Sequence, residues 1–331
     1  MGVNLTIIGL GQIGSSIGLA LQKPKAEIDI NRVGLDKDIA AARRAKDLGV
    51  IDRVELKYSS AVKDANVVIL AVPFDQIYDT LEEIAPTLSK NTVVIDTAPI
   101  KKTVLSWAEE LLLPGSFYVG LIPAINPIYL HDEKTGLDAA RPDLFKNGIM
   151  GIVTLPTTHP DAIKLASDLT NIIGSRPLFL DPDEIDGLMA ATHIVPQLLA
   201  ATLAITTIGK AGWRDNSKLA GRAYALEARL TELMDTPECL AQAALNNREN
   251  TIRILQNAVG NIQTLITDLE SNNKTSLTER LSRAQTDYKQ WWQERKTGDW
   301  LSQEGIPKVE YPTPKSIFGS LFKRKQPHKP E

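Results

Sequence analysis

The stretch from residue 5 to residue 21, LTIIGLGQIGSSIGLAL, constrains this chain more than any other. An apolar run, Leu5 to Ile8, meets Gly9, Gly11 and Gly14, and a helical pattern with Ile17, Leu19 and Leu21 follows. This is strand, tight turn and helix in immediate succession. Gly9 permits the turn off the strand, Gly11 lets a pyrophosphate come close to the backbone, and Gly14 lets the helix pack tightly on the strand. Phosphate would sit against the first turn, at Gln12 and Ile13, where free N–H groups and the helix dipole favour negative charge.

A second apolar stretch, Arg32 to Leu35, ends in Asp36. That carboxylate lies about 20 residues beyond the glycines, where an acid that binds the adenosine ribose belongs. It would repel a 2′-phosphate, so the expected cofactor is NAD. Lys37, Arg43 and Arg44 nearby keep NADP open.

Strands and helices then alternate. Ile39–Leu48 has helical spacing up to Gly49, and Val67–Pro73 is apolar on both faces, as in a buried parallel strand. Asp75–Leu88 reads as helix, and Thr92–Lys102, Phe117–Pro123, Gly151–Pro156 and Arg176–Asp181 read as strands with their exits. The alternation predicts a mostly parallel sheet with helices on both faces and ligands at the carboxyl ends of the strands. Ala71, Val72, Pro73 and Asp96 at those ends are therefore further cofactor candidates.

After Asp181 the pattern becomes helical, with one Ala/Leu/Ile-rich stretch over Asp183–Lys210 and a kink expected at Pro196. Three more helices are expected, over Asn216–Met234, Pro237–Ser271 and Ser276–Trp300. The fold class is an α/β Rossmann-type dinucleotide-binding domain over residues 1–181, followed by an all-α domain over 182–300. A helix as apolar as 188–208 must be buried nearly all round, which implies a homodimer through the helical domain. Residues 301–331, rich in Pro and Lys, read as a disordered tail, and SIFGSLFKRK within it as a solvated end.

Bulk properties exclude several classes. A net charge of −3 over 331 residues argues against a nucleic-acid partner. The single cysteine, Cys239, excludes an internal disulfide, and four scattered histidines give no metal-ligand spacing. The opening strand leaves no space for a signal peptide, and no apolar run reads as long enough to span a bilayer. A cytoplasmic protein is expected.

Over residues 4–270 the chain resembles the prephenate and arogenate dehydrogenases of tyrosine biosynthesis. The resemblance rests on GLGQIGSSIGLAL, the AVP at Ala71–Pro73, and the D-x-x-x-x-K of Asp96 to Lys101. It extends to TGLDAARPDLFKNG at 135–148, DEIDGLMAATHIVPQLLAATL on the long helix, and GWRDNSKLA at 212–220. It implies hydride transfer to NAD(P), loss of the ring carboxylate as CO₂, a small carboxylated substrate, and a helical dimerisation domain.

Four positions depart from the family pattern, all on the substrate side. Ile122 stands where the family has a histidine that draws the proton off the substrate's ring hydroxyl. Pro99 replaces a serine, Ile194-Val195-Pro196-Gln197 stands in place of H-L-P-H, and Lys218 replaces a carboxylate-binding arginine. Candidates for the missing chemistry are His131, flanked by Asp132 and Glu133, Lys101 and Asn126 as catalytic groups. Lys218, Arg214, Gln197 and His193 are the substrate-binding candidates. His193 lies one residue before the family's first helix histidine, about 100° round an ideal helix. Two alternatives accompany the dehydrogenase reading: a related dehydrogenase acting on another hydroxy or imino acid, and an NAD-binding sensor with a blunted cleft.

Overall fold

The computed structural model describes residues 2–22, 29–233 and 235–298. The first unit runs to Pro182 and the second begins at Asp183.

In the first unit, β1 (Val3–Ile8) leads into α1 (Gln12–Ala20), then β2 (Ile30–Leu35), α2 (Ile39–Asp47), β3 (Arg53–Val54) and α3 (Tyr58–Val62). Next come β4 (Val67–Leu70), α4 (Ile77–Ile84), β5 (Val93–Asp96), α5 (Lys102–Leu111) and β6 (Phe117–Pro123). The unit closes with β7 (Ile149–Val153), α6 (Pro160–Ile172) and β8 (Arg176–Phe179). The sheet order is β3-β2-β1-β4-β5-β6-β7-β8. Only the β6–β7 pairing is antiparallel; the others are parallel, as the alternation predicts.

Every residue of β4 and β5 is buried, which is why both strands read as unbroken apolar runs. The core gathers Ile7, Ile69, Ile95, Val119 and Leu121 from the strands with Ile17, Ala42 and Leu165 from the helices. The strand expected at Gly151–Pro156 starts two residues earlier, because Gly151 lies inside β7 opposite Ile122. A Cβ at Gly151 would stand 3.2 Å from that of Ile122.

The second unit is helical: α7 (Pro182–Met189), a π-helical turn at Ala190–Ile194, α8 (Val195–Thr207), α9 (Trp213–Leu219), α10 (Arg222–Ala228) and α11 (Leu230–Leu233). It continues with α12 (Pro237–Asn246), α13 (Arg248–Glu270) and α14 (Lys274–Thr297). Two helices read as continuous are broken, one at Ala220–Gly221 and one at Asn247. Gly221 and Asn247 hold non-helical backbone there and start the next helices. Pro196 lies in the first turn of α8, directly after the π turn, where the regular helical hydrogen-bond ladder is already interrupted.

One expectation about the apolar helix needs correction: the run Pro182–Thr207 is long and apolar enough to cross a membrane by length and composition. Within the single chain 28% of its most apolar window is buried, so the fuller burial expected of it has to come from outside the chain. Leu188, Leu199, Ile205 and Ile208 all lie open. The expected tail, with its SIFGSLFKRK segment, lies outside the described residues.

Candidate functional site: a dinucleotide cradle and a histidine–aspartate pair

The first site forms where the sheet reverses direction, with β1 between β2 and β4. Ligands of open α/β sheets bind at such a switch point. Gly9 follows β1 with φ of +91°, a left-handed conformation open to glycine. A Cβ there would stand 2.4 Å from the Ala71 carbonyl oxygen, so the turn after β1 and the exit of β4 are in intimate contact. Ala71 also donates its N–H to the Ile8 carbonyl at 2.8 Å. At Gly14 a Cβ would meet the Gly9 carbonyl oxygen at 2.0 Å, which is the close helix–strand packing the sequence implies.

Gly11 behaves differently. It caps α1, and a Cβ built on it meets nothing within 4 Å. The fold itself does not need glycine there; a ligand approaching the backbone does. Gln12 and Ile13 open α1 beside it, with their N–H groups in the first turn. Asp36 sits just past β2, its carboxylate braced by the Leu10 N–H at 2.7 Å and the Asp38 N–H at 2.9 Å. Gly9, Gly11, Gln12, Ile13, Gly14, Asp36 and Ala71 thus converge at one end of the sheet, and Val72 and Pro73 continue the β4 exit.

Sequence reasoning missed the segment that drapes beside this cradle. Arg141 donates its N–H to Ser16 Oγ on α1 at 3.0 Å. Arg44 on α2 pairs with Asp138, and the Arg141 guanidinium holds Asp132 at 3.1 Å. The resemblance segment at 135–148 was the available signal, but nothing in its residue types revealed this docking.

Asp96 does not join the cradle. Its carboxylate and the Lys101 ammonium are both 0% exposed and 2.7 Å apart. Asp96 also accepts from the Ala98 N–H at 2.8 Å and from the Tyr118 hydroxyl. Gly120 leaves room for the lysine stem, since a Cβ there would lie 2.8 Å from Lys101 Cδ. Both expected roles are corrected: this is a buried pair bracing the ends of β5 and β6, not a cofactor contact and a catalytic lysine. A charge sealed this deeply holds its place only when paired and hydrogen-bonded.

The other first-unit candidates also find structural partners. Asn126 caps a short turn, accepting from the Ile128 N–H at 3.3 Å and donating to the Asp143 carbonyl at 3.3 Å. Both ends of its amide are engaged with backbone, which removes the basis for a catalytic part. His131 stands exposed on the loop. Its neighbour Asp132, read as an orienting acid, turns instead to Arg141 and to the Lys134 N–H.

In the second unit, the structure joins His193 and Gln197 through a residue the sequence reading missed. Asp235 Oδ2 lies 2.8 Å from His193 Nε2 and 3.1 Å from Gln197 Nε2. The Asp235 N–H donates to Gln197 Oε1 at 3.1 Å. Burial raises the Asp235 carboxyl, but the hydrogen bond and charge of His193, with help from Gln197, outweigh it and hold the group below the usual carboxylate range. No sequence spacing could reveal a pair 42 residues apart.

His193 lies within the π turn at Ala190–Ile194. Arg214 and Lys218 lie exposed on α9, with Lys218 3.0 Å from Asp215. Among the described residues neither is hydrogen-bonded to the His193–Asp235–Gln197 cluster, and none group into a metal site.

Residues 17–178 match the family model of the prephenate dehydrogenase nucleotide-binding domain. The chain is 28% identical over 235 residues to prephenate dehydrogenase of Bacillus subtilis, covering 67% of this chain and 62% of that protein. It is 28% identical over 200 residues to cyclohexadienyl dehydrogenase of Zymomonas mobilis, covering 60% of this chain and 66% of the relative. The matches thus span somewhat less than two thirds of these curated relatives. Among solved structures, prephenate dehydrogenase from A. aeolicus, in complex with hydroxyphenyl propionate and NAD+, superposes with a TM-score of 0.76 at 19% identity. That match covers 88% of this chain and 98% of the other. Synechocystis arogenate dehydrogenase gives a TM-score of 0.67 at 20% identity, over 87% and 100%. At these identities the structures establish a shared fold.

Proposed function

We propose, for a chain that belongs to the prephenate/arogenate dehydrogenase family, an NAD-dependent oxidoreductase that decarboxylates prephenate or arogenate oxidatively in tyrosine biosynthesis. The observation that carries this reading is the cradle at the β1 switch point, where Gly11 is open to a ligand and to nothing in the fold itself. The residues fit a dinucleotide. Gly11, Gln12 and Ile13 would hold the pyrophosphate at the start of α1. Asp36 would hold the ribose, and Ala71–Pro73 would flank the chain toward the nicotinamide. Bound NAD supplies the hydride acceptor. Arg44, one of the three cations near Asp36 that could meet a 2′-phosphate, is paired with Asp138, which leaves Lys37 and Arg43 for that role.

The substrate side rests on the second unit, where His193 and Gln197 are held by Asp235 and where Arg214 and Lys218, the latter paired with Asp215, are exposed cationic heads for a carboxylate. The chain works as a homodimer in the cytoplasm, a second copy covering the open face of α8. No nucleic acid takes part.

A second reading is supported by the loops after β5 and β6. Lys101 is sealed, Asn126 is a cap, and Ile122 cannot take a proton. An NAD-binding sensor would have such a cleft. NADH absorbance with prephenate and then arogenate separates the two. Turnover at or above about 1 s⁻¹ is expected for the dehydrogenase. Tight NAD binding by calorimetry with no turnover on either substrate overturns it in favour of the sensor.

A further inference from the structure

Asp138 lies in the short turn Gly136–Ala139, and Arg141 fixes it there. The Arg141 guanidinium donates to the Asp138 carbonyl at 2.8 Å, and the Arg141 N–H donates to Ser16 Oγ at 3.0 Å. Ser16 Oγ in turn donates to the Gln12 carbonyl at 2.6 Å, in the first turn of α1. Asp138 is thereby held against the helix that opens the dinucleotide cradle. Its carboxylate pairs with Arg44, 94 residues away in the chain. The Arg44 hydrogen bond and charge, with smaller help from Lys134 and Arg141, hold the Asp138 carboxyl below the usual carboxylate range. Ala42 and Ala45 are the buried positions of α2, which leaves Arg44 on its open flank. Helical side chains lean toward the N-terminus of their helix. That direction carries the Arg44 head back toward Asp38, which caps α2 and gives its N–H to Asp36 at 2.9 Å. At the rise of an α-helix the climb from Asp38 to Arg44 is about 9 Å, most of which an extended arginine spans.

We propose that Asp138 is a second determinant of cofactor choice: its carboxylate fills the Arg44 guanidinium and so withholds from NADP an arginine that would otherwise meet the 2′-phosphate. This rests on the cradle being a dinucleotide site, and on nothing about the reaction that follows. A free 2′-hydroxyl asks for an acceptor, which Asp36 supplies, whereas a 2′-phosphate asks for an arginine nearby. The planar guanidinium fork suits phosphate and carboxylate alike, so a carboxylate from within the chain competes for the same donors. The two acids then act on one phosphate in different ways. Asp36 repels it directly, and Asp138 removes a cation that would offset the repulsion. The Arg44–Asp138 pair is exposed on both sides, and such pairs add little to stability. Its consequence lies in what it keeps Arg44 from binding. Lys37 and Arg43 are exposed and make no ion pair among the described residues, so their contribution is the same in wild type and variant.

The test is calorimetry of NAD and NADP on the full chain at low ionic strength, where exposed charges act most strongly. Where wild-type NADP binding is too weak for direct titration, it is read from displacement of NAD. Asp138→Asn should tighten NADP about tenfold and leave NAD within about twofold. The gain should vanish when Arg44→Gln is added, because it runs through that guanidinium. Asp138→Glu keeps the charge and should bind NADP as weakly as the wild type. Thermal midpoints should stay within about 2 °C of the wild type, as expected for a surface pair; Asp138→Ser serves the same comparison if Asp138→Asn melts lower. Unchanged NADP affinity in the folded variant overturns the proposal. So does a gain that survives Arg44→Gln, or one that NAD shares in equal measure. A wild type that binds neither dinucleotide overturns the cradle reading, and the choice between cofactors falls with it.

Discussion

Lys101 shows how far a single residue can depart from what its type implies. A lysine at the mouth of a helix reads as solvated, yet here it lies with Asp96 and Tyr118 beneath the ends of β5 and β6. The sequence holds the clue only in retrospect, in Gly120, whose missing side chain makes room for the lysine stem. A buried pair adds little net stability, but breaking one half leaves a charge without its counterpart. Lys101→Met keeps the stem and removes the ammonium. It should destabilise the protein by about 3–5 kcal/mol, read as a lower urea midpoint with an unchanged m-value. A loss below about 1 kcal/mol would mean that Asp96 finds a proton or a new partner at little cost.

At the scale of one element, the turn between β1 and α1 separates what the fold needs from what a ligand needs. Gly9 has positive φ and a carbonyl pressed against it, whereas Gly11 has ordinary extended backbone and open space. Gly9→Ala should cost more than about 2 kcal/mol, through strain and overpacking. Gly11→Ala should leave the thermal midpoint almost unmoved and weaken NAD binding at least about tenfold, because its Cβ would occupy the pyrophosphate's approach. Calorimetry and thermal melts on the two variants would show the split. Equal loss of stability in both would remove the case for a ligand at Gly11. The strands and α1 were legible because burial on both faces and glycine geometry leave direct marks in residue type. The helical unit was less so. One apparent helix over 216–234 is three, and another breaks at Asn247, since helical spacing continues through a short break without losing its phase.

Across the molecule, the open flank of α8 is the feature a single chain leaves unresolved. Ile205 is 70% exposed, Leu199 stands open on the same helix, and Ile208 stands open just past its end. Apolar surface on this scale marks an interaction site, and the proposed homodimer is the cover tested first. Sedimentation should give twice the chain mass of 36.3 kDa at micromolar concentration. Ile205→Glu, a change on an already open position, should shift the protein to monomer without unfolding it. A monomeric wild type would sink the homodimer.

The sequence by itself determined the nucleotide-binding half: its strand–glycine–helix turn, its acid at Asp36 and its parallel sheet. Those features are local, and each is written in residues close together along the chain. Tertiary structure alone decided which polar groups do structural work and which remain open to a ligand. Lys101 and Asn126 look reactive in sequence, and folding engages both in internal partners. Asp235 looks like any loop carboxylate until the chain turns back and sets it against His193. Local backbone demands leave their mark on residue type, whereas a contact across 42 residues depends on how the intervening helices pack.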